Sequence, residues 1–197
     1  MRTGLPAGPP RVLAAAQLTN SVGDGAFYVC SALYFARIVG LSPTEIAAGL
    51  TVGWGVGFLA GVPLGNVADR WGPRGTAVLF AAGTGASVGL LLLVSSFPSF
   101  VLAMCLYACC QTGLAAARQA LLAGLVEQAR RTTVRAYLQA AANAGLAAGA
   151  VAGSVALQLD TPAAYRTVLA LDALGFLAAG LMLLRLPGVA PFPRVRG

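Results

Sequence analysis

The chain has 197 residues, of which 58% are apolar and only 10% charged, with a formal net charge of +7. Soluble domains carry about 25% charged residues, so too few charges are present to cover a water-facing surface, and disorder needs the opposite composition. With no histidine, Ser-His-Asp and Cys-His catalysis, imidazole metal sites and histidine-ligated haem are excluded.

The acids are Asp24, Glu45, Asp69, Glu127, Asp160 and Asp172, and every basic residue is Arg. The arginines lie between apolar runs rather than along one polar face. That is the pattern of cytoplasmic membrane loops, not of a nucleic-acid surface. Cys30, Cys105, Cys109 and Cys110 all fall inside apolar runs. Without His or a nearby carboxylate they read as small hydrophobes, not as a metal site or a disulfide framework. No cofactor is expected, and no spacing assembles a nucleophile with a base, so an enzyme is not expected.

A helix needs about 20 apolar residues to cross a bilayer, and six such spans are predicted. The first runs from Val12 to Ala36 and is read as a retained helix rather than a signal peptide, because the apolar run continues and five more spans follow. Asp24 lies twelve residues beyond Val12, about 18 Å into the membrane at 1.5 Å per residue. A charged carboxylate there costs at least about 2.5–3.5 kcal/mol, so it should face an aqueous cavity or hold a proton. Gln17, Ser21, Asp24, Tyr28 and Ser31 recur at helical spacing on one face, with Asn20 at its edge. The stripe is either a cavity wall or structural polar packing.

The second span, Ile46 to Val67, holds Gly49, Gly53, Gly57, Gly61 and Gly65 at spacing four, with Pro63 in the same helix. Small residues at this spacing let another helix approach closely. The third span is Thr76 to Phe97. The fourth is Ser99 to Ala123; in it, Arg118 is read as a residue that reaches from near the inner end to the headgroups. The fifth, Ala136 to Leu159, repeats the glycine pattern with Gly145, Gly149 and Gly153. The sixth, Ala164 to Leu186, contains Asp172. With the N-terminus inside, ten arginines fall on the inner side and two, Arg37 and Arg166, on the outer, which puts both termini in the cytoplasm. The expected organisation is a cytoplasmic segment 1–11, a six-helix bundle 12–186 and a basic cytoplasmic tail 187–197.

Between the second and third spans the chain reads Gly65-Asn66-Val67-Ala68-Asp69-Arg70-Trp71-Gly72-Pro73-Arg74. This G-x-x-x-D-R-x-G-x-R pattern, on the cytoplasmic side, resembles motif A of the major facilitator superfamily. Gly145 to Ser154 is similar to that family's antiporter motif C, with Ala150 in place of Pro and Ser154 in place of the last Gly. The intramembrane Arg of the family's fourth-span motif is not matched, since Ala108 stands there beside Gln111 and Gly113.

The resemblance covers nearly the whole chain but only the N-terminal half of such a transporter, six helices in 3+3 inverted repeats. It implies an all-α, multi-pass protein of the cell membrane. The implied activity is secondary transport of a small organic solute by alternating access, with proton-coupled, drug-like efflux as its specific form. Asp24 is then the proton or substrate site, with Asn20, Gln17, Tyr28 and Gln111 beside it. Gly65, Asp69, Arg70, Gly72 and Arg74 form a cytoplasmic latch, in which Asp69 starts the third helix and Arg70 or Arg74 pairs with Glu127. The partners implied are the lipid bilayer, the solute, protons, and either a missing C-terminal half or a second copy docked on the glycine-rich faces. The alternative is a non-transporting six-helix fragment or membrane assembly partner.

Overall fold

The computed structural model describes residues 8–189, and of residues 68 and 69 the backbone alone. Six α-helices account for almost all of it: α1 Pro9–Tyr34, α2 Pro43–Trp71, α3 Pro73–Leu91, α4 Phe97–Leu125, α5 Gln128–Leu159 and α6 Pro162–Leu183. No strand occurs among the described residues. In lipid each backbone polar group must be satisfied within its own segment, which a helix does and an open strand does not. Five of the six are long and apolar enough to cross a membrane. The sixth, α3, has 19 residues and carries Arg74 in its first turn. Large apolar side chains such as Phe58, Leu59, Val62, Leu93 and Leu181 stand exposed on the outside of the bundle, where lipid or another apolar surface can cover them.

Local chemistry marks the helix ends. Before α2, Ser42 Oγ accepts from the Glu45 backbone N–H while the Ser42 backbone N–H donates to Glu45 Oε2. Such a cap is worth about 0.5–2 kcal/mol. Ser96 and Ser99 form the same kind of box before α4, and Thr161 Oγ1 accepts from the Ala164 N–H before α6. The Ser96 box explains one difference from expectation: the third helix ends at Leu91, and Phe97 begins α4 instead of ending α3. Beyond Tyr34 the first helix continues as a π-helical turn, Phe35–Val39, closed by Gly40 at φ 81°.

The packing pairs are α1 with α5 and α6, α4 with α2 and α3, and α3 with α6. Exchanging α1 with α4, α2 with α5 and α3 with α6 returns the same set of pairs. The two three-helix units thus repeat one pattern, and successive spans run in opposite directions, so the second unit is inverted relative to the first. Contact between α1 and α4 themselves is slight, and a cavity lies there.

The glycine rows follow this symmetry, and they correct the expectation of an outward docking face. A Cβ on Gly53 would lie 3.0 Å from Met104 Cβ of α4. One on Gly57 would lie 2.8 Å from Ala108 Cβ, and Gly61 faces Thr112. Gly49 abuts the Phe100 ring. On the other side, Gly145, Gly149 and Gly153 press on α1 at Leu18–Ser21, Val22–Ala26 and Ala26–Val29. The rows are used up inside the bundle, because that is where helix backbones cross most closely. Gly65 alone in the first row meets nothing within 4 Å.

Candidate functional site

Asp24 is the middle residue of the continuous first span, Pro9–Val39. Its side chain turns towards α4 and is almost completely buried. Three donors hold it: Asn20 Nδ2 donates to Asp24 Oδ2 at 2.9 Å, and Gln111 Nε2 and the Tyr107 hydroxyl donate to Oδ1 at 3.1 and 3.3 Å. Gln111 Nε2 also reaches the Tyr107 oxygen at 3.0 Å. Tyr107 is fully buried beneath Trp54, with the ring centroids 6.1 Å apart.

On the opposite flank, Arg118 Nη1 donates to Gln17 Oε1 at 2.9 Å and Nη2 to Asn20 Oδ1 at 3.1 Å. Arg118 and Asp24 do not touch. Asn20 joins them, its carbonyl oxygen bound to the guanidinium and its amide to the carboxylate. Hydrogen bonds to charged groups contribute about 1.5–3 kcal/mol each, and neutral Asn20 lets two opposite charges share one network without closing into an ion pair. Asp24 has its oxygens engaged, whereas a guanidinium has five N–H donors and Arg118 uses only two of its groups here.

These residues line a cavity of 410 Å³ between α1 and α4. Gln17, Asn20, Asp24 and Tyr28 come from α1, Trp54 from α2, and Gln111, Thr112, Arg118 and Gln119 from α4. Leu13, Leu122 and Leu138 continue the wall towards the end of the bundle where α1 begins. The volume suits a small organic molecule, and two aromatic rings with a few convergent polar groups are the usual furnishing of such a site.

All five expected site residues, Asp24, Asn20, Gln17, Tyr28 and Gln111, meet in this cavity. Asn20 is not at the edge of the stripe but is its central bridge. Ser21 departs from the stripe: it is buried and faces Gly145 of α5, with its hydroxyl accepting from Gln17 Nε2 at 3.2 Å. Ser31 does not line the cavity. Arg118 is the main correction. Its guanidinium turns inward to Gln17 and Asn20 instead of reaching for the headgroups, because those two carbonyl oxygens lie within its reach. The seven-residue spacing from Gln111 to Arg118, two helical turns on one face, is the signal that marks it. Tyr107 carries no such signal in an apolar run.

The segment expected to form a latch is a single-residue turn. Residues 65–71 are the last turns of α2, Gly72 turns the chain at φ 88° and ψ 132°, and Pro73 begins α3. Asp69 therefore lies in the last turn of α2, not at the start of α3, because Gly72 is the first residue that can take the turning conformation. The Asp69 side chain lies outside the described residues, as do Arg2, Arg194 and Arg196. Arg74 Nη1 donates to the Leu186 carbonyl at 2.9 Å, tying α3 to the segment after α6. Arg70 is exposed. Glu127 is the exposed residue before α5, and the expected pairing with Arg70 or Arg74 is not formed: the one ion pair among the described residues is Arg37–Asp160. That pair joins the end of the first span to the α5–α6 turn. The Tyr165 hydroxyl also donates to Asp160 Oδ1 at 2.7 Å, and this bond together with Arg37 holds the Asp160 carboxyl below the usual carboxylate range.

A family model described as Major Facilitator Superfamily matches residues 13–196. Among solved structures, the chain is similar to the crystal structure of the human organic anion transporter MFSD10 (TETRAN), with 18% sequence identity and a TM-score of 0.67. That similarity covers 92% of this chain and 49% of the transporter, so the chain spans about half its length. No curated protein matches the chain.

Proposed function

The chain belongs to the major facilitator superfamily, and from that premise we propose that it forms one half of a secondary transporter, which moves a small organic solute by alternating access with protons coupled at Asp24. Members of this superfamily are membrane carriers, not enzymes. The observation that carries the reading is the Asp24–Asn20–Arg118 network on the α1–α4 wall at mid-membrane, where transporters of this architecture hold substrate and coupling ion between two halves. Gln17, Tyr28 and Gln111 complete that wall.

The chemistry of the solute follows from the donors left free. Asp24 already accepts three hydrogen bonds, whereas Arg118 retains unbound N–H groups in the cavity that the Trp54 and Tyr28 rings also line. An aromatic or apolar body bearing an anionic group fits this wall best. The printed description of MFSD10 as an organic anion transporter is of the same kind. Because the cavity extends to the arginine-rich end of the bundle, solute loads from the cytoplasmic side, which supports efflux from a cell membrane with both termini inside.

In this reading the second half, or a second copy, covers the exposed rows Phe58, Leu59 and Val62 of α2 and Val151, Val155 and Leu159 of α5. Gly65, Asp69, Arg70, Gly72 and Arg74 act as the cytoplasmic latch, with Arg74 on the segment after α6. The test is uptake into proteoliposomes of a panel matched in shape and differing in charge (benzoate, benzyl alcohol and benzylammonium), with and without an imposed proton gradient. Gradient-driven movement of benzoate above the other two is expected. Movement of benzoate no faster than of the other two, or with no response to the gradient, overturns the proposal.

A further inference from the structure

Asp172, in the middle of α6, is fully buried, and neither carboxylate oxygen has a hydrogen-bond partner among the described residues. It lies at the closest crossing of α6 with α1. A Cβ built on Gly23 would stand 2.9 Å from Asp172 Cα and 3.0 Å from its carboxyl carbon. Gly23 precedes Asp24, and successive side chains leave a helix about 100° apart. Asp24 thus points to the cavity while Asp172 closes on another side of the same turn of α1.

The ionisable groups Asp24 and Tyr28 of α1 and Tyr107 of α4 are all acids, and no arginine pairs with Asp172 among the described residues. Arg118 and Asn20 serve Asp24 instead. An ionised carboxylate at Asp172 would lack donor and counter-charge and would repel Asp24 across α1, an arrangement that membrane interiors penalise heavily. A leucine would fill the same space without a polar group, so packing gives no reason for the carboxyl.

We propose that Asp172 is a second proton-binding carboxyl, loaded while Gly23 seals it and unloaded when α1 and α6 part. On unloading the O–H bond breaks, the proton passes to water admitted between the helices, and the carboxylate is left facing that water. The unloading step rests on the transport reading; the loaded state does not.

The test is infrared spectroscopy of the full chain in lipid vesicles at neutral pH, read at the C=O stretch of protonated carboxyls. A band is expected that survives Asp24→Asn, disappears in Asp172→Asn and shifts only slowly in D2O. A spectrum unchanged by Asp172→Asn, or a band that shifts at once, overturns the proposal. Since Asp172→Asn introduces an amide that needs partners, Asp172→Leu provides an independent check: a melting temperature at or above that of the unaltered chain is expected. A large drop with no carboxyl band lost from the infrared spectrum would show that the carboxylate is ionised and paired, and would overturn it. In proteoliposomes, Asp172→Asn should lower the number of protons moved per solute while solute still moves. An unchanged ratio overturns the unloading step and leaves Asp24 untouched, whereas solute movement that does not respond to the gradient overturns the transport reading without altering the infrared result.

Discussion

Gly149 stands where α5 comes closest to α1. A methyl group in place of its hydrogen would lie 2.9 Å from the Ala26 nitrogen and from the Val22 carbonyl carbon, and closer still to the Val22 oxygen. All three are backbone atoms, so no side chain can rotate aside and the helices themselves must part. Carbon contacts are most favourable at about 3.5–4.0 Å, which makes the required separation about 1 Å. Overpacking of this kind costs about 1–3 kcal/mol, and backbone opposition puts Gly149→Ala at the upper end. Better helix propensity offsets up to about 1 kcal/mol, leaving a net loss of about 2 kcal/mol. Gly55→Ala is the control, because nothing lies within 4 Å of a Cβ there. It keeps the propensity gain with no clash. Denaturation of the full chain in detergent, followed by circular dichroism, should rank Gly55→Ala at or above the unaltered chain and Gly149→Ala clearly below it. Equal stability of the two variants would refute the α1–α5 crossing described here.

At Gly72, whose φ of 88° and ψ of 132° suit glycine alone, Gly72→Ala should cost about 1–3 kcal/mol, read in the same denaturation assay. Arg118→Gln removes a charged donor from the cavity, and loss of about 1.5–3 kcal/mol of charge-assisted bonding predicts benzoate affinity at least about tenfold weaker, measured through Trp54 fluorescence in a Trp71→Phe background. Asp160 is held below the usual carboxylate range first by the Tyr165 hydroxyl and then by Arg37. Its ionised form therefore stabilises the fold at pH above the unfolded carboxylate range, and that contribution disappears as pH falls through the lower, folded value. Tyr165→Phe should make the acid loss of thermal stability begin at higher pH; superimposable melting curves across the acid range would count against the Arg37–Asp160–Tyr165 contact.

What was legible in the sequence is what lipid imposes. Six apolar stretches of bilayer length became six helices, and Asp24 drew attention because a carboxylate inside such a stretch needs a reason. Gln17, Asn20 and Tyr28 followed from helical spacing to it, whereas Gln111 on the fourth span came only from the family resemblance. Directions across the bundle were harder to read. The glycine rows marked a close crossing, but not whether α4, α1 or an outside partner lay across it. Arg118 has a stem long enough to reach either the headgroups or the cavity, and only the positions of Gln17 and Asn20 decide between them. Tyr107 passes for one more aromatic in an apolar run until its hydroxyl is seen on Asp24. The place of Asp69 depended on which residue breaks α2, and the breaker is Gly72, three residues later.

Transport in the proposed form requires that the cavity carboxyl couple protons to solute. The measurement that addresses it most directly is solute movement in proteoliposomes carrying Asp24→Asn, in two modes. Exchange of labelled for unlabelled solute needs the cavity and its alternating access but no net proton movement. Uptake driven by a proton gradient needs both. Asp24→Asn should keep exchange, since Asn can occupy the same space beside Asn20, Gln111 and Tyr107, and should lose gradient-driven uptake. Gradient-driven uptake equal to that of the unaltered protein would contradict that coupling.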